Sequence, residues 1–245
     1  MFPIRDHNPS GRTPYVTIAL MAANILVFCA YWLTLTDGQI GWFLYTWGIV
    51  PGRLMAGQGI ETLVTHMFVH AGWMHLAGNM LFLWIYGDNL ESEMGHGGFL
   101  LFYLAAGLAA AGLQSAADPW SDIPMVGASG AIAGVMGGYL LLYPRAKVDV
   151  LFIFVIFFRI FPIPAWIVLG LWFGIQMVSG LAVPSDEGGV AYLAHIGGFV
   201  AGVIFALPVW LRRGAAAYWQ RTEGHPPHPE TAYKLSRSRI PTVRR

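Results

Sequence analysis

Long apolar blocks with few charges make up most of this chain. A helix needs about 20 consecutive, mostly apolar residues to cross a bilayer, and stretches of roughly 10–14 residues usually do not cross. Six blocks belong to the longer class and are predicted to be transmembrane helices: 15–35, 71–90, 99–117, 126–143, 165–183 and 190–211. The sequence therefore predicts an all-α, polytopic membrane protein with six transmembrane helices.

The composition supports this class. Hydrophobic residues make up 56% of the 245 residues and charged residues only 11%, against about 25% charged residues in soluble domains. The formal net charge of +1 favours neither nucleic acid nor an acidic partner. Cys29 is the only cysteine in the sequence, which excludes an internal disulfide and a cysteine-based metal site.

The basic residues predict the orientation of the chain in the membrane. With the N-terminus inside, every Lys and Arg except Arg53 falls on the inner side, whereas acidic residues such as Asp37 and Asp122 lie in outer loops. The apolar stretch 148–158 is too short to span, and a seventh crossing there would move the basic tail outside. It is interpreted as an interfacial or re-entrant segment.

Three parts follow from this topology. Residues 1–14 are predicted to be a cytoplasmic N-terminal segment, and residues 15–211 a six-span membrane domain. Residues 212–245 are a basic cytoplasmic tail whose polar, proline-containing composition predicts disorder. The first block is too long for the apolar region of a signal peptide, so it is expected to remain. A short chain without a transit-type N-terminus favours an integral protein of a bacterial inner membrane.

Polar residues occur at matched positions in three of the predicted spans. Spans two, four and six run in the same direction, and each carries polar side chains in its first third. Span two has His75 and Asn79 one turn apart, span four has Ser129, and span six has His195. Intramembrane polar groups are costly and usually face the bundle interior. A Ser and a His at equal depth on different helices indicate a nucleophile and its general base.

Each of these residues also has a purely structural interpretation. A Ser among small residues usually packs between helices or bonds to a backbone carbonyl of its own helix. A single intramembrane His is often a satisfied interior side chain. Gly198, Gly202 and Ala206 form a small-residue stripe that would let span six approach another helix closely. The pairing of Ser129 with His195 at equal depth is the observation that favours catalysis.

Other kinds of site fit the sequence less well. His66 and His70 are four residues apart and could bind a metal with His75, but no HExxH motif and no acid on that face accompany them. An aspartyl intramembrane protease would need two aspartates within spans, and Asp88 is the only candidate. Cys29 has no His partner in its block. No metal and no cofactor are therefore expected.

Three segments together resemble the rhomboid intramembrane serine proteases: GASG around Ser129, AHIGGFVAG around His195, and HMFVHAGWMHLAGNMLFLWIYGDNLE. The resemblance covers about residues 13–211. It implies a rhomboid-like bundle and a serine endopeptidase that cleaves single-span membrane proteins in or next to their transmembrane segments, within the lipid bilayer. It also implies Ser129 as nucleophile, His195 as general base, and His75 and Asn79 as oxyanion-stabilising residues.

The resemblance assigns structural roles to two further residues, and the chain departs from the family pattern beside the proposed nucleophile. His70 is expected to fix the first outer loop, and Glu91 to cap the inner end of span two. Some relatives carry a Tyr stacked on the catalytic His, one turn after the nucleophile, where this chain has Ala133. His195 is then supported either by another ring or by no ring.

Two other functions, a binding protein and a small transporter, are alternatives to the protease. Catalytically inactive members of the family bind membrane proteins without cutting them, but they lose the Ser or the His, and this chain keeps both. A small transporter would place its polar residues near the midplane, on broken helices that face both sides. In this chain the polar residues are confined to the outer third of the spans.

Overall fold

The chain forms a bundle of helices with a small β-sheet at one end. The computed structural model describes residues 2–154, 157–182 and 190–230. In chain order the elements are β1 (Phe2–Asp6), α1 (Tyr15–Trp32), α2 (Asp37–Trp47), α3 (Pro51–Met55), α4 (Thr62–Thr65), α5 (Trp73–Met94), α6 (His96–Ala117), α7 (Ser129–Leu142), β2 (Lys147–Phe154), β3 (Phe157–Pro164), α8 (Ala165–Ala182), α9 (Tyr192–Arg212) and α10 (Ala216–Thr222). A 3-10 turn, His66–Phe68, follows α4.

The six predicted spans correspond to α1, α5, α6, α7, α8 and α9. Among the described residues, α1, α6, α8 and α9 are long and apolar enough to cross a membrane on length and composition alone. Helix α5 has 22 residues but carries polar side chains near both ends. The chain is mostly helical, as predicted, and is an integral, polytopic membrane protein.

Helix α7 is short and lies at the centre of the bundle. Its 14 residues extend about 21 Å at 1.5 Å per residue, which is less than the hydrocarbon core of about 30 Å. Nearly all of its residues are buried, and α5, α6 and α9 pack around it. A helix that its neighbours shield from lipid does not have to match the bilayer, so α7 can begin at Ser129 below the membrane surface.

Glycines bring α7 and α9 into backbone contact. A Cβ atom at Gly202 would overlap the carbonyl oxygen of Gly134, and one at Gly198 would overlap that of Gly130. The close approach predicted from the small residues of span six is therefore confirmed, and its partner is span four. This contact fixes the relative depth of the two helices that carry the predicted nucleophile and base.

The strands form an antiparallel sheet in the order β1, β2, β3. Val148 pairs with Ile163 along the β2–β3 hairpin, and Pro3 pairs with Val150 between β1 and β2. The segment 148–158 therefore belongs to a β-hairpin, of which residues 155–156 lie outside the described part, and the re-entrant alternative is wrong, whereas an interfacial position stays a prediction. Its β-branched and aromatic residues suit strands, and Val148 and Val150 are fully buried.

The sheet determines which helix ends lie on the same side of the membrane. Strand β1 precedes α1, whereas β2 and β3 lie between α7 and α8. A hydrogen-bonded sheet of this size cannot extend across a bilayer, so the helices between β1 and β2 make an even number of crossings. This end of the bundle is termed the sheet face. The opposite end, with the loop between α1 and α5, is termed the loop face.

The start of the C-terminal tail packs on the sheet face. Trp219 in α10 donates a hydrogen bond from Nε1 to the carbonyl oxygen of Leu141 at 2.9 Å. The backbone N–H of Arg145 donates to the carbonyl oxygen of Gly224 at 3.0 Å. Residues 216–222, whose composition predicts disorder, are therefore helical and anchored to the bundle, while residues 231–245 lie outside the described part of the chain.

Glu91 caps the first turn of α1. Its carboxylate accepts hydrogen bonds from the backbone N–H groups of Val16 and Thr17, both at 2.8 Å, and from the Thr17 hydroxyl at 2.7 Å. The first N–H groups of a helix have no partner within the helix, and a negative charge there also complements the helix dipole. The prediction that Glu91 caps span two is therefore wrong, because this residue of α5 caps span one.

Candidate active site

A cavity of about 680 Å³ lies between α5, α7, α8 and α9, towards the loop face. The four side chains predicted from the sequence, those of His75, Asn79, Ser129 and His195, all line it. Loop residues that precede α7, such as Met125, line it as well. The structure therefore brings the predicted residues of three different spans together around one space.

Ser129 and His195 are in direct hydrogen-bond contact. Ser129 is the first residue of α7, and His195 lies in the first turn of α9. The distance between Ser129 Oγ and His195 Nε2 is 2.8 Å. A serine hydroxyl is a weak nucleophile, and a base at this distance is what activates it.

The other ring nitrogen of His195 determines the direction of this hydrogen bond. Nδ1 is 2.8 Å from Oε1 of Gln176 on α8. An amide oxygen only accepts, so Nδ1 carries the ring proton and Nε2 keeps its lone pair. Nε2 therefore accepts from the Ser129 hydroxyl, which is the arrangement that a general base requires.

The turn into α7 is held by the loop between α1 and α5. The Gly127 N–H donates to the carbonyl oxygen of His66 at 2.9 Å, and Met125 and Ile49 exchange backbone hydrogen bonds of 2.7 and 2.9 Å. Gly127 has a φ of +120°, a conformation that residues with a side chain rarely adopt. These constraints fix where the helix begins, with its first N–H groups unpaired by the helix itself.

Two side-chain donors pack against the same turn. A Cβ atom at Gly127 would lie 2.6 Å from Nε2 of His75 and 3.6 Å from Nδ2 of Asn79. Nδ1 of His75 accepts a hydrogen bond from the backbone N–H of Ala71 at 3.4 Å, which leaves the ring proton on Nε2. His75 therefore presents an N–H group beside Gly127, two residues before Ser129.

Asn79 holds a donor without a partner. Its Nδ2 is buried and has no hydrogen-bond partner among the described residues. Leaving a buried donor unpaired costs about 1–3 kcal/mol. Asn79 lines the same cavity as Ser129, so its unpaired donor lies close to any group that binds there.

The two remaining histidines of this region, His66 and His70, are buried. Nδ1 of His66 bonds to the carbonyl oxygen of Thr62 at 2.8 Å, and burial lowers the pKa of His66 to about 4. Burial and the neighbouring His75 lower the pKa of His70 to about 3. Both rings are therefore neutral near pH 7. In the described residues no group of three or more His, Cys, Asp or Glu side chains is placed to hold a metal ion.

The backbone of His70 helps to fix the loop, whereas both ring nitrogens of His70 have no hydrogen-bond partner among the described residues. Its N–H donates to the hydroxyl of Tyr31 on α1 at 3.0 Å, and the same hydroxyl donates to the His70 carbonyl oxygen. This pair of hydrogen bonds ties the residues just before α5 to the end of α1. The loop that positions Gly127 is thus anchored at both of its ends.

A sequence model of the rhomboid domain matches residues 57–212, more than half of the chain. The chain belongs to the rhomboid family. It is 35% identical over 196 residues to the rhomboid protease GluP of Bacillus subtilis, covering 80% of this chain and 36% of that protein. It is 30% identical over 205 residues to rhomboid-related protein 2 of Mus musculus, covering 80% and 63%.

A mitochondrial protein is also similar. Rhomboid protein 1, mitochondrial, of Saccharomyces cerevisiae is 31% identical over 150 residues, which cover 59% of this chain and 40% of that protein. The chain spans 36% to 63% of the length of these three relatives.

In this rhomboid Ala133 carries no ring to support His195, and a residue of the fifth span, α8, supplies that ring instead. The ring centroid of Trp172 on α8 lies 5.7 Å from that of His195, with the ring planes inclined by 35°. Gln176 follows one turn later on the same helix. Neither Trp172 nor Gln176 was predicted from the sequence. The available signal for Gln176 was an amide in an otherwise apolar span, whereas a Trp in a membrane helix carries no such signal.

Proposed function

We propose that this rhomboid is an intramembrane serine endopeptidase that hydrolyses peptide bonds in or next to the transmembrane segments of other membrane proteins. The observation that carries the proposal is the 2.8 Å contact between Ser129 Oγ and His195 Nε2, in a cavity inside a bundle of membrane helices. The similar Bacillus subtilis protein is named a rhomboid protease, which supports the same activity.

In the proposed reaction, His195 Nε2 takes the proton of the Ser129 hydroxyl while Oγ attacks the carbonyl carbon of the scissile bond. When the tetrahedral intermediate collapses, the C–N bond breaks and His195 gives its proton to the leaving nitrogen. Water then attacks the acyl ester with His195 again as base, and Ser129 is released with its proton restored.

The negative charge that develops on the carbonyl oxygen requires preorganised donors. We assign this role to Asn79 Nδ2, to the Nε2–H of His75, and to the backbone N–H of Ser129. The two side chains pack against the Gly127 turn, and the N-terminus of α7 adds the positive end of its helix dipole. None of these groups has to move far when the charge forms.

The sheet face is proposed to be cytoplasmic, in a bacterial inner membrane, with both termini on that side. Basic residues before α1, in the hairpin and after α9 belong to this face, and basic loop residues are retained in the cytoplasm. A reporter fused after Arg245 is expected to report a cytoplasmic position. A cysteine at Asp122, in a Cys29→Ser background, is expected to react with an impermeant reagent added outside. An external C-terminus would contradict this orientation.

The proposed substrates are single-span membrane proteins, cut in the third of the span nearest the loop face or just beyond it. Ser129 begins α7 at that end of the bundle, and hydrolysis needs water, which the bilayer core does not supply. A substrate helix must unwind before attack, and unwinding in lipid exposes costly polar groups. The cut is therefore expected near Gly or Pro, which form poor helices, and after a small residue, because the glycine-lined turn leaves little room.

Mass spectrometry of the products tests the cut position. A single-span substrate reconstituted with the protease is compared with a matched substrate in which Gly and Pro of the span are replaced by Leu. The Leu-rich substrate is expected to be cut more slowly, and the native one near the loop face. A cut at mid-bilayer, or faster cleavage of the Leu-rich helix, would contradict this account.

A further inference from the structure

We propose that Gln176 is a positioning residue for His195, and that the proposed Ser129–His195 dyad is completed by an uncharged third residue that orients the imidazole ring and takes no proton. This inference rests on the proposed function, because it assigns a role within the same reaction. Gln176 Oε1 lies 2.8 Å from His195 Nδ1, and the residue is only 8% exposed. It lies on α8, a helix that carries neither the nucleophile nor the base.

Helix α8 holds the His195 ring in two ways. Trp172 and Gln176 are four residues apart, so they lie on the same face of the helix. The Trp172 ring lies against the His195 ring and limits its tilt, while Gln176 accepts from Nδ1 and sets the tautomer. Without the acceptor, the ring proton would distribute between Nδ1 and Nε2, and only the Nδ1-protonated form accepts the Ser129 proton.

An amide suits this position better than an acid inside a membrane. A carboxylate would hold the same tautomer and would also stabilise the imidazolium, but it would place an ion among apolar helices at high cost. Gln176 gives the orientation without the charge. A charge introduced at this position is therefore expected to change the basicity of His195. A side chain that only packs against its neighbours would leave that basicity unaltered.

Two variants of Gln176 separate positioning from packing. Gln176→Leu removes the acceptor at similar volume, and we expect kcat to fall about tenfold, the rate equivalent of one neutral hydrogen bond, with KM unchanged. Gln176→Glu restores an acceptor, and we expect activity to recover at higher pH, with the acidic limb of kcat/KM moved upwards by about one pH unit or more. Met177→Leu, at the half-exposed neighbouring position, is the matched control and is expected to behave as wild type.

A second measurement does not depend on cleavage. ¹⁵N NMR of imidazole-labelled protein, assigned with His195→Ala, is expected to show His195 protonated at Nδ1 in the wild type and mixed tautomers in Gln176→Leu. Wild-type kcat and pH profiles in both Gln176 variants, or a ring protonated at Nε2, would overturn the role of Gln176 while leaving the dyad intact. Cleavage that does not require Ser129 would overturn the proposed function and leave the tautomer result standing.

Discussion

Replacing Ser129 by Ala, or His195 by Ala, is expected to abolish cleavage of a model transmembrane substrate by the purified protein. Ser129 Oγ and His195 Nε2, 2.8 Å apart, are the atoms that would form the acyl bond and carry the proton. Loss of the nucleophile or base of such a unit costs about 10⁶ in kcat. Because the two residues act together, the double variant is expected to be no slower than either single variant.

Ser115→Ala is the matched control for the nucleophile. Ser115 is also a buried serine, on α6, and it lies outside the set of residues that line the cavity. This variant is expected to keep the wild-type kcat. Ser129→Ala also removes the hydrogen bond to His195, which is expected to lower the free energy of unfolding by about 1 kcal/mol, whereas Ser115 Oγ has no hydrogen-bond partner among the described residues. Both variants are expected to stay folded in detergent. Retained cleavage by purified Ser129→Ala would exclude the mechanism.

Asn79→Ala is expected to lower kcat by about 10²–10³, the usual cost of removing one donor from an oxyanion site, with a smaller effect on KM. Its Nδ2 has no hydrogen-bond partner among the described residues, so the bond would form only when the oxyanion appears. An interaction made only in the transition state affects kcat more than substrate binding. Steady-state kinetics with the same substrate measure both constants.

Asn24→Ala separates this catalytic effect from a loss of stability. Asn24 is another buried asparagine, and its Nδ2 donates to the carbonyl oxygen of Leu20 at 2.8 Å within α1. Its replacement is expected to lower the free energy of unfolding by about 1 kcal/mol and to leave kcat unchanged. Asn79→Ala is expected to show the opposite pattern, since Nδ2 gives up no formed hydrogen bond. Wild-type turnover in Asn79→Ala would remove this residue from the oxyanion site.

The helices and the main polar residues of the cavity could be predicted because their signals are local. An apolar block near 20 residues has few alternatives to a membrane helix, and Asn79 or Ser129 differs sharply from its apolar surroundings. The matched depth of Ser129 and His195 follows from counting residues from the ends of their blocks. The spacing of Gly198 and Gly202 similarly indicates a close helix contact before its partner is known.

The features that could not be predicted depend on partners far away in the chain. An apolar run as short as 148–158 does not distinguish a strand from a helical segment, and its partner β1 lies before the first span. Glu91 caps the start of a different helix, which nothing near Glu91 indicates. Gln176 reaches His195 only if α8 is rotated so that this side chain faces α9. Because apolar residues lie on every side of α8, the sequence does not indicate which side faces the bundle.

The pairing of β1 with β2 has a consequence for the biosynthesis of the protein. Residues 2–6 leave the ribosome before their partner strand, Lys147–Phe154, which is made only after four membrane helices. At about 5–20 residues per second, roughly 7–30 seconds separate the two strands. During this interval the backbone donors and acceptors of β1 remain solvated outside the bilayer. Docking of β1 is therefore a late, post-insertion event, and a fusion partner placed before Phe2 would slow it more than one placed after Arg245.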